Sequence, residues 1–225
     1  MSDSSSTSNG PEIKGNLTEA QKRRAIQVFQ HFIGTPDTSF GAEIGRNLKL
    51  VEIAVMDSSD RSEWAVEQEG FSWNEGDGSY KPFGGKKTRD EKKKTHFSLS
   101  VKDAVARTIC EIDVTRNMCN IYGTLHGGCA AYMIDPCSVS ALVALGMVMG
   151  IDGTGVSQSM MIQWHKPATL GTKLKIISTT VCLDGHIRTA RSELRDRVNN
   201  TLYVSATHST INKSPPSRMK VESKL

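Results

Sequence analysis

The residues best suited to chemistry lie in one short part of the chain. The run Asn120-Ile-Tyr-Gly-Thr-Leu-His126 leads into Gly127 and Gly128, and Asp135 follows nine residues after the histidine. Asp135 is the only ionisable carboxylate in the long apolar stretch that comes after His126. Burying a lone carboxylate costs free energy, so we predict that Asp135 is buried for a functional reason. Attack on a carbonyl group needs a residue that activates water or attacks directly, together with donors for the developing oxyanion.

The element that carries Asp135 must be a helix that is apolar nearly all round, and such a helix is expected to be buried. A helix that begins near Gly127 offers free backbone N–H groups and the positive end of its dipole. Nine helical residues place Asp135 roughly 13 Å from His126 in the same chain, too far for both to touch one carbonyl. We therefore expect two chains to share each site, with antiparallel helices meeting across a dimer axis.

Composition limits the remaining possibilities. The chain has 225 residues, 37% hydrophobic and 23% charged, which fits one domain with extensions. A net charge of +4 and a mixed run from Lys86 to Lys94 favour an anionic ligand weakly and do not indicate nucleic acid. The cysteines are odd in number and contain no CxxC pair, so we expect reduced thiols and no metal or other cofactor. The five are Cys110, Cys119, Cys129, Cys137 and Cys182.

The two ends of the chain differ in what they predict. Residues 1–16 lack an apolar signal core and are predicted to be a disordered tail. Residues 214–225 are predicted to be a flexible tail, and the chain ends in Ser223, Lys224 and Leu225. This tripeptide is the signal read by the peroxisomal import receptor, so we expect a peroxisomal location and that receptor as a partner. The uncharged run Pro136 to Ile151 is too short for a membrane span, and none is expected.

Periodicity predicts the elements between the tails. Thr18 and Gln21 form a capping box that opens an amphipathic helix ending near Gly34. Regularity is lost over residues 57–98, which we interpret as an insertion between the first two strands of a single domain, residues 17–213. Strands are predicted at Leu48 to Met56, Val105 to Thr115, Val156 to His165, Thr172 to Leu183, Ile187 to Arg197 and Leu202 to Ile211. This order predicts an α+β fold in which a curved antiparallel sheet wraps around the long apolar helix.

These residues resemble a known family, the hotdog-fold acyl-CoA thioesterases of the PaaI-like branch. The resemblance covers roughly residues 117–212 and is densest in NIYGTLHGGCAAYMID, in GVSQSMMIQWHKPA and at the Asp184-Gly185 hairpin. It implies a hotdog fold with an N-terminal helix, and hydrolysis of an acyl-CoA substrate to the free acid and CoA. It also implies a homo-oligomer, either a dimer or a dimer of dimers.

The resemblance also assigns roles. It implies that Asp135 is the general base or nucleophile and that the Gly127 N–H binds the thioester oxygen. Asn120, His126 and Ser157 would position water and the carboxylate. The substrate contacts that it implies are Gly128, Trp164, Lys166, Gly185, His186 and Arg188.

Two features depart from the family pattern. Pro136 directly follows the candidate base and would remove one helical hydrogen bond and bend the axis. The insertion at 57–98 is long for a loop and carries four aromatic residues that could form a lid over an acyl tunnel, although a surface excursion is an equal alternative. These are Trp64, Phe71, Trp73 and Phe83.

Three alternatives remain open from the sequence. A cysteine nucleophile is disfavoured, because no second histidine is placed to activate Cys129 or Cys137. A hotdog enoyl-CoA hydratase would carry its Asp and His about five residues apart on one segment, a spacing that is absent here. A non-catalytic acyl-CoA-binding protein on the same fold is the third alternative, because a fold does not determine a function.

Overall fold

The computed structural model describes residues 13–34, 39–57, 71–74, 79–82 and 104–212. The chain divides into two compact units, residues 1–55 together with 105–225, and residues 56–104. The predicted signal at Ser223 to Leu225 and the charged run Lys86 to Lys94 lie outside the described residues.

The larger unit is built on a six-stranded sheet. Its strands, in chain order, are β1 (Lys49–Asp57), β4 (Ala104–Asp113), β5 (Val156–Trp164), β6 (Lys173–Asp184), β7 (Ile187–Asp196) and β8 (Leu202–Ile211). In space the order is β1-β4-β6-β7-β8-β5, so β5 forms one edge. The pairs β4/β6, β6/β7, β7/β8 and β8/β5 are antiparallel.

The smaller unit contains a short antiparallel hairpin, β2 (Phe71–Asn74) and β3 (Ser79–Pro82). In its register Phe71 stands opposite Pro82. The sequence pattern did not predict these strands, because polar and glycine residues surround them. The lid proposed for the insertion depends on side chains that lie outside the described residues.

Three α-helices pack within the larger unit, namely α1 (Glu19–Gly34), α2 (Ala42–Gly45) and α3 (Gly127–Met149). The predicted capping box opens α1, where the Gln21 N–H donates to Thr18 Oγ1 (3.3 Å) and the Thr18 N–H donates to Gln21 Oε1 (3.1 Å). Ala25, Phe29 and Ile33 are buried on one face of α1, as helical spacing predicts. A small gap between α1 and α3 is lined by Val28, Phe29, Phe32, Pro136 and Val139, among others.

The core lies between α3 and the concave face of the sheet. Ile53, Leu174 and Leu194 reach the core from the strands, and Ile134 and Leu142 reach it from the helix. α3 has the length and mean hydropathy (1.6) to cross a membrane, but 72% of its most apolar window is buried inside the protein. That burial is typical of the central helix of a folded domain.

The predicted order of helix, two strands, buried helix and four strands is confirmed for the larger unit. Pro136 lies inside α3, and the helix continues past it to Met149. Lys14 and Asn16 belong to the segment predicted as a tail, yet both bond β1. The Lys14 N–H donates to the Val51 carbonyl (3.0 Å), and the Val55 N–H donates to Asn16 Oδ1 (2.9 Å).

Candidate active site

The N-terminus of α3 begins at Gly127, where the sequence predicts an oxyanion-binding amide. His126 is the N-cap, with φ −65° and ψ 135°, and its Nδ1 accepts the Gly128 N–H at 3.0 Å. Gly128 therefore uses its amide in the cap, which leaves the Gly127 N–H as the first amide of the helix with no intrahelical acceptor. The structure gives His126 a role in orienting this helix end and placing the Gly127 amide there.

The Asn120 loop is folded by its own side chain. Asn120 Oδ1 accepts the N–H groups of Tyr122 (3.0 Å) and Thr124 (3.2 Å), and Nδ2 donates to Thr124 Oγ1 (3.0 Å). Because an amide nitrogen carries two hydrogens, Nδ2 keeps one donor beyond the bond to Thr124. The backbone then joins this loop to the connection between β5 and β6, since the Leu125 N–H donates to the Ala168 carbonyl at 2.7 Å.

An open cavity of about 420 Å³ lies beside this helix end. The Trp164 indole forms one wall, and a Cβ built on Gly127 would lie 3.4 Å from the ring. Four residues predicted as site residues line the cavity together, while Asp135 does not. The lining consists of Asn120, Thr124, Leu125, Gly127, Trp164, His165, Lys166, Pro167, Ala168, Tyr203 and Val204.

Asp135 and Ser157 form a second cluster further along α3. Ser157 Oγ donates to Asp135 Oδ1 at 3.1 Å, as the predicted partnership requires. The Asp135 side chain is 50% exposed, so the prediction that it is buried is wrong for a single chain. The sheet and α1 cover the second half of the helix, while the face bearing Gly128, Tyr132 and Asp135 stays partly open.

His208 is a neighbour of Asp135 that the sequence did not predict. It is fully buried on β8, with Nε2 3.6 Å from Asp135 Oδ1 and Nδ1 2.6 Å from Ser138 Oγ. Burial lowers the pKa of His208, and the negative charge of Asp135 counteracts part of that effect. The sequence contained one signal, a histidine at an inward-facing position of an alternating strand. The pattern of residues along that strand could not connect this histidine to Asp135.

The hairpin residues predicted to contact substrate lie apart from the cavity. His186 Nδ1 is 2.9 Å from the Asn212 carbonyl oxygen, and Gly185 has a positive φ of 57° in the turn. Arg188 is only 2% exposed, and its guanidinium donates to the Thr154 carbonyl oxygen. In a single chain the charged group of Arg188 is thus engaged inside the fold, and its contact with substrate stays a prediction. Burial acts to raise the pKa of the neighbouring Asp152, but hydrogen bonds from Thr154 and Asn212, with the charge of Arg188, lower it.

The cysteines near the motif are poor nucleophiles. Burial raises the pKa of Cys129 to about 11. Cys137 is fully buried, and burial together with its contact to Cys110 raises its pKa well above the ordinary value. Because the thiolate is the reactive form, these environments agree with the prediction of core thiols.

The geometry groups the candidate residues into two clusters on each chain. One consists of the α3 N-terminus and the cavity, and the other consists of Asp135 with Ser157 and His208. A helix enclosed by an antiparallel sheet is the hotdog fold, and the prediction of that fold is confirmed. This arrangement places the chain among the hotdog-fold proteins.

Comparison with known proteins identifies the family. No protein-family model matches the chain. Acyl-coenzyme A thioesterase 13 from Mus musculus is 30% identical over 108 residues, which are 48% of this chain and 74% of that protein. The Homo sapiens protein of the same name is 29% identical over 108 residues, again 48% of this chain and 74% of that protein. The structure of zebra fish thioesterase superfamily member 2 is 26% identical, with 47% of this chain and 73% of that chain covered and a TM-score of 0.43.

The chain belongs to the acyl-CoA thioesterase family that includes acyl-coenzyme A thioesterase 13. The match covers 48% of this chain, so about half of the chain has no counterpart in it.

Proposed function

We propose that this protein hydrolyses an acyl-CoA thioester to the free carboxylic acid and CoA, with Asp135 as the base. The observation that supports this proposal best is that one helix, α3, carries both groups the reaction needs. Gly127 provides a free amide at the capped start, and Asp135 provides a half-exposed carboxylate that Ser157 holds at 3.1 Å. Family membership supports the same reaction class.

The proposed site is shared by two chains. β5 is an edge strand with an unpaired side, and it exposes Val156 (74%), Met161 (71%) and Trp164 (57%). Exposed apolar edges of this kind favour pairing with another strand. If two β5 strands pair antiparallel about a two-fold axis, the Ser157 end of one lies opposite the Trp164 end of the other. The Asp135 half-site of one protomer then meets the Gly127 half-site of its partner, in a dimer or a dimer of dimers.

In the proposed reaction the thioester carbonyl oxygen accepts the Gly127 N–H, and the helix dipole stabilises the charge that develops there. Asp135 takes a proton from water as the water oxygen bonds to the carbonyl carbon. The carbon–sulfur bond then breaks and CoA leaves as a thiolate, which takes up a proton. The products are the carboxylic acid and free CoA thiol, and the carboxylate of Asp135 is restored when it returns its proton.

The cavity beside Gly127 suits the CoA part of the substrate. Its wall combines the flat apolar surface of Trp164 with the cationic Lys166 and the hydrogen-bonding groups of His165 and Tyr203. An aromatic face and a positive charge are what an arm ending in phosphates and adenine requires. We further propose a peroxisomal location, which rests on the terminal Ser223-Lys224-Leu225.

The test is release of free CoA thiol from short, medium, long-chain and aryl acyl-CoAs by the wild type and by Asp135→Asn. We expect turnover of at least one substrate, with kcat lower by about a hundredfold or more in the variant, because the amide cannot accept the water proton. Asp113→Asn is the matched control, since Asp113 is also half-exposed (55%) but pairs with Arg197 on the sheet.

Two outcomes would contradict the proposal. Absence of thiol release from every substrate would exclude thioesterase activity and favour enoyl-CoA hydration or binding without turnover. Equal kcat in the Asp135→Asn and Asp113→Asn proteins would remove Asp135 from the mechanism.

A further inference from the structure

His208 lies behind Asp135, whose carboxylate also interacts with the titratable side chains of Tyr132 and Cys137 on α3. From β8, His208 faces Asp135 and Ser138 of α3. On the neighbouring strands it stands opposite Met160 of β5 and Ala190 of β7. Neither Met160 nor Ala190 titrates. The carboxylate of Asp135 is therefore the charge that the buried imidazole meets.

The two ring nitrogens of His208 differ in their partners. Nδ1 is 2.6 Å from Ser138 Oγ, and the same hydroxyl lies 2.9 Å from the backbone carbonyl oxygen of Asp135, to which it can also donate. Nε2 is buried without a hydrogen-bond partner among the described residues, and Asp135 Oδ1 lies 3.6 Å from it. Leaving a buried polar nitrogen unpaired is unfavourable, so a movement of a few tenths of an ångström by Asp135 toward Nε2 is favourable.

Ser138, His208 and Asp135 are the residue types of a serine hydrolase triad, but the exposed end is the aspartate and not the serine. Ser138 Oγ is the buried end, since Ser138 is 0% exposed, and the carboxylate is the half-exposed end. A buried hydroxyl cannot reach a substrate, so it does not act as the nucleophile. The reactive end of this chain is Asp135, and the serine and histidine stand behind it.

We propose that His208 is a positioning residue for Asp135, with Nε2–H donating to Oδ1 and Ser138 Oγ–H donating to Nδ1. This inference rests on the proposed thioesterase function. The opposite tautomer would direct the bare Nε2 lone pair at a carboxylate oxygen, which is repulsive. The carboxylate charge thus selects the tautomer, and the single hydroxyl hydrogen of Ser138 then goes to Nδ1 in place of the Asp135 carbonyl oxygen. Burial keeps the imidazole neutral by lowering its pKa.

The geometry explains how this helps catalysis. Ser157 Oγ and His208 Nε2 both approach the same carboxylate oxygen, Oδ1. Two donors on Oδ1 fix the rotamer of Asp135 and leave Oδ2 directed away from them, where it can accept the proton of the attacking water.

Kinetics of His208→Leu and His208→Gln test the proposal. Leucine fills similar space without a donor, and we expect kcat to fall about ten- to a hundredfold with KM changed less than threefold. Glutamine keeps an N–H near the position of Nε2 and should restore most of kcat, a rescue that a purely space-filling role would not give.

Thr210→Val is the matched control. Thr210 lies on the same face of β8, is fully buried and has an Oγ1 without a partner among the described residues. Its replacement should leave kcat and KM unchanged. A folded His208→Leu protein with wild-type kcat, or a His208→Gln protein no more active than His208→Leu, would overturn the proposal.

Nitrogen NMR of the ¹⁵N-histidine-labelled protein provides a second test that needs no substrate, and its main readout comes from the wild type. We expect the His208 resonances at pH 7 to show a protonated Nε2 and an unprotonated Nδ1, with Nε2 shifting in Asp135→Asn. An unprotonated Nε2 would overturn the proposal. If the wild type hydrolyses no thioester, the proposed function fails, and this spectrum still decides the arrangement of His208.

Discussion

Gly127 stands where the start of α3, the Trp164 indole and the open cavity meet. Its backbone does not have a positive φ, so an alanine can adopt the same conformation. A Cβ at this position would make ordinary contact with Trp164 at 3.4 Å. The absence of a side chain is therefore not required for folding, which leaves close approach of a ligand as its physical reason.

We predict that Gly127→Ala separates stability from activity. The melting temperature should stay the same or rise slightly, since alanine favours the helix by up to about 1 kcal/mol. kcat/KM should fall at least about tenfold, because the new methyl group occupies the space where the thioester oxygen approaches the amide. Thermal unfolding and thiol release, measured on the same preparation, check both parts.

Gly128→Ala provides the contrasting variant. Its Cβ would lie 3.2 Å from His126 Nδ1, inside the cap, so the cost should appear as lower stability of the helix start. Full kcat/KM in a stable Gly127→Ala protein would argue against the Gly127 amide as the oxyanion donor.

At the scale of elements, α1 and α2 together hold the first half of α3 through Tyr132. The Tyr132 hydroxyl donates to the Ile33 carbonyl oxygen at 3.2 Å, and its ring meets Phe40 edge-on at 5.8 Å between centroids. Gly45 closes this contact, because a Cβ there would overlap the Ile33 carbonyl and come within 2.5 Å of the Tyr132 hydroxyl. Tyr132 lies one turn before Asp135, so the contact also fixes the segment that carries the proposed base.

We predict that Gly45→Ala destabilises the protein by about 1–3 kcal/mol, the usual cost of overpacking. Chemical denaturation with unfolding monitored by circular dichroism would measure the change. Glu43→Ala on the same short helix is exposed and should change stability by no more than about half a kcal/mol. Equal stability of the two variants would show that the contact between α2 and Tyr132 is loose.

The sequence predicts the elements whose residue pattern reflects which of their faces is buried. The β-strands that frame the core alternate, α3 is continuously apolar, and a capping box marks α1, so each was predicted nearly to its ends. α2 has four residues, too few for periodicity to show. The hairpin β2–β3 stands in a glycine-rich and polar segment that conceals its alternation.

The candidate site residues came from two sources. Asn120, His126, Gly127 and Asp135 stand within one motif, where residue types and spacing can be seen in the sequence. Ser157, Trp164 and Lys166 lie outside it and were expected from the resemblance to the thioesterase family. His208 comes from β8 and meets Asp135 only because the sheet curves around α3, which no local pattern encodes. The prediction that Asp135 is buried was wrong for a single chain. A continuously apolar helix indicates that its faces are covered, but not whether the same chain or a partner covers them.

At the scale of the whole molecule, each chain leaves two surfaces open, one face of α3 and the edge of β5. The same chain carries the two separate halves of the proposed site. Neither half can complete the proposed reaction, because the amide and the base are about 12 Å apart along the helix. Association of two protomers covers the exposed edge and completes two sites at once. Oligomerisation would thus be a condition for activity in addition to a source of stability.

We predict that two inactive variants restore activity when they share a dimer. Asp135→Asn and Gly127→Ala chains, carrying different affinity tags, are co-expressed and purified through both tags in turn. In a shared-site dimer one site receives both changes and the other receives none, so activity should be about half that of the wild type. A dimer made of two differently tagged Asp135→Asn chains has no intact site and should stay inactive.

The same experiment separates a shared site from one contained in a single chain. If each site used residues of one chain, every site in the mixed dimer would carry one change, and thiol release would be no higher than in the two parent variants. Size-exclusion chromatography of the mixed protein must show the same assembly as the wild type, so that lack of activity cannot arise from dissociation. Activity near half of the wild type would then require the Asp135 of one protomer to work with the Gly127 amide of its partner.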